Sequence, residues 1–279
     1  MLSLIICSRT SKISDELEKN IVETIGCEYE LIVIDNSKKK YNIFQAYNEG
    51  IKLAKGDILC FMHEDIQFHT PKWGIITMSY FKDKTIGLVG VIGTHYMPKS
   101  PAAWWKTHYL AGQLIQGNFV NNVYKTKKIL YDQYNESHTS LVEACTIDGL
   151  WFCMPKSIFD TIKFDDLLYH GFHCYDMDIC MQVIQSRYKV MISNDILIEH
   201  LSIGTCDELW IDNLNIWYKK WRKFLPIFIG INKCLLSPEN KYEVLIDNLQ
   251  FCQNQFYKKY KYKVYRIRLA LLSKWKKYL

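Results

Sequence analysis

Apolar runs and helical stripes alternate over residues 1–62. Residues 2–6, 31–34 and 58–62 are short, nearly unbroken apolar runs, the pattern of strands buried on both faces. After the first run, Ile13, Leu17, Ile21 and Ile25 recur every fourth residue, with Ser14, Asp15 and Glu16 supplying a capping hydroxyl and first-turn acids. After the second, Phe44, Tyr47, Ile51 and Ala54 share one helical face. This β-α-β-α-β order predicts a parallel sheet with right-handed crossovers. Each strand ends in polar groups: Ser8 and Arg9, then Asp35, then His63, Glu64 and Asp65. Parallel strands share a carboxyl edge, so these groups are expected to line one crevice, where open α/β sheets bind ligands. Taken singly, each could also be a strand running into a charged surface loop.

Farther on, residues 86–92 predict another strand. Residues 94–145 are less regular, with Pro98, Pro101, Trp104, Trp105, Gly112 and Gly117, and are expected to form an insertion or pair of hairpins over the crevice. Residues 146–154 read as a strand carrying Asp148 and Gly149, and 157–162 as a short helix. A loop with His170, Gly171 and His173 leads to Asp176 and Asp178, which open a helix with Ile179, Val183 and Ile184 inward. Acids at a helix N-terminus are favourable in themselves, so their simplest role is electrostatic. Short strands follow at 190–193 and 196–198, the second running into Glu199 and His200.

Past residue 205 the texture changes. Trp210, Trp217, Trp221 and Phe224 fall in a helical pattern. Residues 255–279 contain no acid but many Lys and Arg, with Tyr257, Tyr260, Val264, Ile267 and Leu271 at helical spacing. A basic amphipathic helix with aromatics is expected on an anionic membrane surface, although a terminal helix packed on the domain shows the same pattern. The expected organisation is an α/β domain over 1–205 and a helical, basic-aromatic extension over 206–279.

Composition narrows the class. Of 279 residues, 49% are hydrophobic, with only 13 Gly and 6 Pro, which argues for a globular core and against disorder. The ten cysteines are scattered with no C-x-x-C pair, which excludes a zinc ribbon or a thioredoxin-type motif and suits buried thiols in a reducing compartment. The start lacks the basic segment and cleavage site of a signal peptide, and no apolar run reaches the roughly 18 residues of a membrane span. A cytoplasmic protein, peripheral on the inner face of the plasma membrane, is expected. The net charge of +6 is modest.

In order and spacing, these stretches resemble the family 2 glycosyltransferases, inverting nucleotide-sugar enzymes of the GT-A fold, here of the type that builds bacterial surface glycans. The likeness covers about residues 1–205. Residues 4–10 look like the family's opening strand and nucleotide loop, 34–37 like its second strand end, and 46–57 like the stretch leading to the metal motif. The D-x-D motif falls on His63-Glu64-Asp65. Asp148-Gly149 matches the family's acid-glycine pair. Tyr175-Asp176 falls where the family has Glu-Asp, and Glu199-His200 looks like the late strand whose His can complete the metal shell. His63 replaces the first acid of D-x-D, and Tyr175 replaces the Glu before the base.

The resemblance implies a GT-A, Rossmann-like, mostly parallel sheet flanked by helices. It places Ser8, Arg9, Thr10, Asp35, Asn48 and Glu64 around the nucleotide, and Asp148, Gly149, Trp151 and Tyr175 around the donor and acceptor sugars. Asp65, His200 and His63 become metal ligands, for Mn²⁺ or Mg²⁺, and Asp176 the base. The implied partners are a nucleotide-sugar donor, with UDP expected as the nucleotide, and a glycan or lipid-linked saccharide acceptor, not nucleic acid.

This chemistry needs such groups. Charge builds on the departing diphosphate, which a divalent cation stabilises, and a sugar hydroxyl attacks only once a base removes its proton. Asp178 competes with Asp176 for the base role. Asp148 and Asp176 could imitate a glycosidase pair. A nucleotidyltransferase would show a Gly-rich phosphate loop, and none is visible. A catalytically silent, membrane-peripheral scaffold on a transferase fold is the other reading, and nucleic-acid binding through the basic tail a third.

Overall fold

The computed structural model describes residues 1–231 except 122, 136, 137 and 205. The basic stretch 255–279 lies outside the described residues.

The chain opens as the apolar pattern predicts: β1 (Leu2–Ser8), α1 (Asp15–Thr24), β2 (Tyr29–Asp35), α2 (Ile43–Leu53) and β3 (Ile58–Met62). Ser14 caps α1 by accepting from the Leu17 amide, and Asn42 and Gln45 close a capping box at the start of α2. β1 lies between β2 and β3 and runs parallel to both, so their three carboxyl ends meet at one edge.

The chain continues through β4 (Ile66–Phe68), α3 (Trp73–Tyr80), β5 (Ile86–Gly90), β6 (Ile92–Thr94), β7 (Tyr96–Met97), β8 (Leu110–Val120) and β9 (Val123–Tyr131). β10 (Leu141–Ala144), β11 (Thr146–Ile147), β12 (Trp151–Pro155), α4 (Tyr175–Gln185), β13 (Lys189–Ser193), β14 (Ile198–His200), α5 (Glu208–Trp221) and β15 (Ile227–Phe228) complete it. The main sheet has the order β10-β13-β5-β12-β3-β1-β2. It is mixed. β13 is parallel to β5, but β12 runs antiparallel between β3 and β5, and β10 antiparallel on β13. Trp151, Phe152, Cys153 and Met154 of β12 are all buried, and such a run reads the same in either direction. A second sheet, β11-β6-β8-β14-β4 with β9 on β8, lies across the carboxyl edge of the first strands.

Two stretches expected as single strands are each divided. The chain leaves the main sheet after β5 and enters the second at β6. After β10 in the main sheet and β11 in the second, it crosses back between β11 and β12, through a turn at Asp148, Gly149 and Leu150. Both crossings occur at one place, since β11 pairs with β6 and the Asp148 amide donates to the Ile92 carbonyl at 2.8 Å. The turn therefore carries Asp148 out of the sheet to its carboxyl edge. The irregular region contains the expected hairpin, β8–β9. The short helix at 157–162 is a 3₁₀ turn over Lys156–Asp160.

The expected boundary at 205 does not interrupt the packing. Trp210, Leu214, Trp217 and Trp221 of α5 are buried in the same core as the sheet, and β15 pairs with β7. The aromatic stripe beyond 205 is a core-facing helix surface. Among the described residues, no helix is long and apolar enough to cross a membrane.

Candidate active site

The carboxyl ends of β1, β2 and β3, the Asp148 turn and the start of α4 surround one cleft of about 1290 Å³. Pockets for a single small ligand reach about 1,000 Å³, so the cleft is roomy enough for a bulky ligand. Its lining includes Arg9, His63, Glu64, Asp65, Asp148, Gly149, Tyr175, Asp176 and His200, nine of the residues the sequence singled out.

Three of these form a cluster able to hold a cation. Asp65 follows β3, and its carbonyl accepts from the Leu201 amide at 2.9 Å. That bond, with β14 antiparallel to β4, brings His200 beside it. Asp65 Oδ1 stands 3.5 Å from His200 Nε2 and 3.8 Å from His63 Nδ1, and one donor atom from each residue lies within 4.8 Å of the others. A cation with bonds near 2.1 Å spaces its ligands about 3–4 Å apart, so the donor set fits a divalent ion. One carboxylate with two imidazoles is a softer donor set than the all-oxygen shell that suits Mg²⁺. Burial pushes the Asp65 carboxyl up, but His200 and the Ser202 hydroxyl, 2.6 Å away, outweigh it and hold it below the usual carboxylate range. Burial likewise lowers His200, yet Asp65 and Asp148 raise it overall, whereas burial and the neighbouring His200 leave His63 lowered. A cation bound here would compete with the proton that the acidic neighbours favour on His200.

Glu64, the middle residue of the motif, faces the other way. It accepts from the Ser8 hydroxyl at 2.5 Å and from Arg9 through Nε at 2.5 Å and the amide at 3.2 Å. Glu64 therefore orients the Arg9 guanidinium at the cleft mouth, and Ser8 lies buried beneath it.

Asp176 sits in the first turn of α4. The residue before it in the helix, Tyr175, follows Cys174, which has φ 64°; this is a strained left-handed conformation for a non-glycine residue. The Gly149 amide donates to Asp176 Oδ2 at 3.0 Å and the Met177 amide to Oδ1 at 2.8 Å. Burial and nearby Asp148 still raise its carboxyl from 3.8 to about 7. A carboxylate with that value is suited to general acid–base work near neutral pH.

Asp178 belongs to a different environment. It is buried and accepts from the Tyr169 hydroxyl, Gln182, the Trp221 indole and Lys220 at 2.7–3.0 Å. That network joins α4 to α5 away from the cleft, so Asp178 is structural.

Five other predicted residues are not part of the cleft lining. Ser8 supports Glu64. The Thr10 hydroxyl donates to the Lys12 carbonyl. Asp35 is exposed and caps the Ser37 amide at 2.9 Å. Asn48 staples the Phe164 backbone through both its amide oxygen and nitrogen. Trp151 is fully buried against Trp73 and Phe68. Tyr175 borders the cleft, but its hydroxyl bonds His63 and Gly149 instead of facing a sugar.

The structure adds Asn36, Lys39, Lys40 and Tyr41 after β2 to the lining, and Trp104, Trp105 and Trp210, the last two with ring centroids 5.6 Å apart. The lysine run after Asp35 and the Trp104-Trp105 pair were visible signals. Trp210 was not, because α5 reaches the cleft only through tertiary packing.

A family model described as a glycosyltransferase-like family matches residues 3–230. The chain belongs to that family. No curated protein matches it. Among solved structures, the glycosyltransferase-like chain is similar to "GalNAc-T7 with UDP, GalNAc and Mn2+", with a TM-score of 0.51 and 13% identity, over 80% of this chain and 50% of that one. It thus spans half the length of that solved chain. A looser likeness, to A197 from STIV, has a TM-score of 0.39 and 10% identity over 71% of this chain and 84% of that one. The mixed α/β architecture is that of the GT-A fold.

Proposed function

We propose that this glycosyltransferase is an inverting, metal-dependent enzyme. It moves a sugar from a nucleotide-diphosphate donor, in the first place a UDP-sugar, to a hydroxyl of a glycan or lipid-linked saccharide. The observation that carries this reading is one cleft holding both a carboxylate–imidazole cluster for a cation and a separate carboxylate, Asp176, raised to about 7. The UDP and Mn²⁺ named for GalNAc-T7 support the donor and ion.

A cation held by Asp65, His200 and His63 would neutralise charge on the departing diphosphate. Arg9, Lys39 and Lys40 add fixed positive charge along the same wall. Asp176 takes the proton of the attacking hydroxyl, with the Gly149 and Met177 amides fixing the carboxylate's orientation. Inversion needs one such base and no covalent intermediate. A glycosidase would need two acids astride one bond; Asp148 instead spends Oδ1 on the Leu150 amide at 2.9 Å and faces the histidines.

Incubating the protein with a panel of nucleotide sugars, Mn²⁺ and candidate acceptors tests the reading. Turnover of at least one donor, lost with chelator, is expected. No turnover and no thermal stabilisation by any nucleoside diphosphate would favour the silent scaffold. Residues 255–279 would hold the enzyme on an anionic membrane surface, and their deletion should release it from anionic vesicles; unchanged binding would end that idea.

A further inference from the structure

We propose that Tyr175 is a positioning residue that locks His63 in the tautomer whose Nδ1 lone pair faces Asp65 and His200. The inference rests on the cation site proposed above.

The Tyr175 hydroxyl lies 3.0 Å from the Gly149 carbonyl and 2.7 Å from His63 Nε2. The carbonyl can only accept, whereas an imidazole nitrogen can donate or accept, so both contacts are hydrogen bonds at once only when the phenolic hydrogen goes to Gly149. The phenol has no second hydrogen to offer, so toward His63 its oxygen must accept. Nε2 then carries the imidazole proton, and in a neutral ring Nδ1 is left with its lone pair. Nδ1 is the nitrogen 3.8 Å from Asp65 Oδ1, on the cluster side of the ring. The opposite tautomer would point an N–H at the place where a cation would sit.

The lock is built in from several sides. The ring of Tyr175 packs edge-on against Phe44 and Tyr47, with centroids 6.3 Å and 5.6 Å away. The left-handed Cys174 sets its entry into α4. A Cβ on Gly149 would lie 2.2 Å from the Tyr175 hydroxyl oxygen, so the approach requires glycine there. His63 itself is held by its amide, 2.9 Å from the Leu150 carbonyl. The two positions that depart from the pattern in the sequence, His63 and Tyr175, thus touch and act as a unit. An imidazole at the first motif position supplies a usable lone pair only if its tautomer is set, and Tyr175 sets it. Partners of this kind on metal-binding histidines are worth about 10- to 100-fold in metal affinity.

Tyr175→Phe keeps the packed ring and removes only the hydroxyl. Nitrogen-15 spectra of the metal-free protein, at a pH where His63 is neutral, should show the Nε2–H tautomer in wild type and a mixture in Tyr175→Phe. By calorimetry, Tyr175→Phe should weaken Mn²⁺ binding about 10-fold or more, with the melting temperature little changed. In a His63→Ala background the same substitution should cost no further affinity. An Nδ1–H tautomer in wild type would overturn the proposal. So would unaltered tautomer and affinity in Tyr175→Phe, or an equal loss without His63. Should Asp65→Ala bind Mn²⁺ as wild type does, the cation site itself is misplaced; the tautomer spectra still decide whether Tyr175 sets His63.

Discussion

Asp176→Asn is expected to lower turnover about 10²-fold or more while nucleotide-sugar binding stays near wild type. The substitution keeps the size of the side chain and one acceptor for the Gly149 or Met177 amide, but removes the basic lone pair. That interaction exists mainly in the transition state, so the loss falls on kcat. The pH dependence has a definite sign. In the proposed role of base Asp176 works only when ionised, so wild-type kcat/KM should rise through a pH of about 7. Stability moves the other way. The folded carboxyl holds its proton up to about 7 against 3.8 ordinarily. Between those values the folded state binds the extra proton, so stability falls by about 1.4 kcal/mol per pH unit as pH rises. Asp176→Asn should flatten that slope in thermal melts from pH 4 to 8. Near-normal transfer by the mutant would move the base elsewhere.

Asp178→Ala should have the largest effect on stability, about 3–5 kcal/mol. The carboxylate is 1% exposed and accepts from four side chains. Its loss leaves the Trp221 indole and Tyr169 hydroxyl without their buried acceptor, and Lys220 with only Asp165, 2.9 Å away. This far exceeds the 0.3–1 kcal/mol of a charge at a helix N-terminus, the role the sequence suggested. Urea denaturation measures it; a loss below about 1 kcal/mol would show that the network carries little.

Much of the site was legible because strand-end chemistry is local. His63, Glu64 and Asp65 close an apolar run, and parallel β1, β2 and β3 put such ends at one edge. His200 could be paired with Asp65 only through the resemblance, because the β4–β14 pairing joins residues far apart in sequence. β4 and α3 were missed: β4 has only three residues, and α3 is apolar nearly all round, so neither shows a period. The sheet crossing at Val91 was hidden inside an apolar run, and that at Asp148 lay under an Asp-Gly pair read as part of one strand. Asn48 and Trp151 lie outside the cleft lining for a related reason. Each stands beside a motif in sequence, but a helix turn carries Asn48 toward Phe164, and strand alternation carries Trp151 into the core against Trp73. The different roles of Asp176 and Asp178, two residues apart, depend on α5, whose Trp221 and Lys220 claim Asp178 alone.

In the proposed enzyme Asp65, with the two histidines, ties nucleotide binding to a divalent cation. Calorimetric titration of UDP into wild type and Asp65→Ala, each with Mn²⁺ and with chelator, tests it most directly. The expected result is binding by wild type with Mn²⁺, much weaker binding with chelator, and the same weak binding by a folded Asp65→Ala under both conditions. UDP bound equally tightly in all four titrations would contradict it.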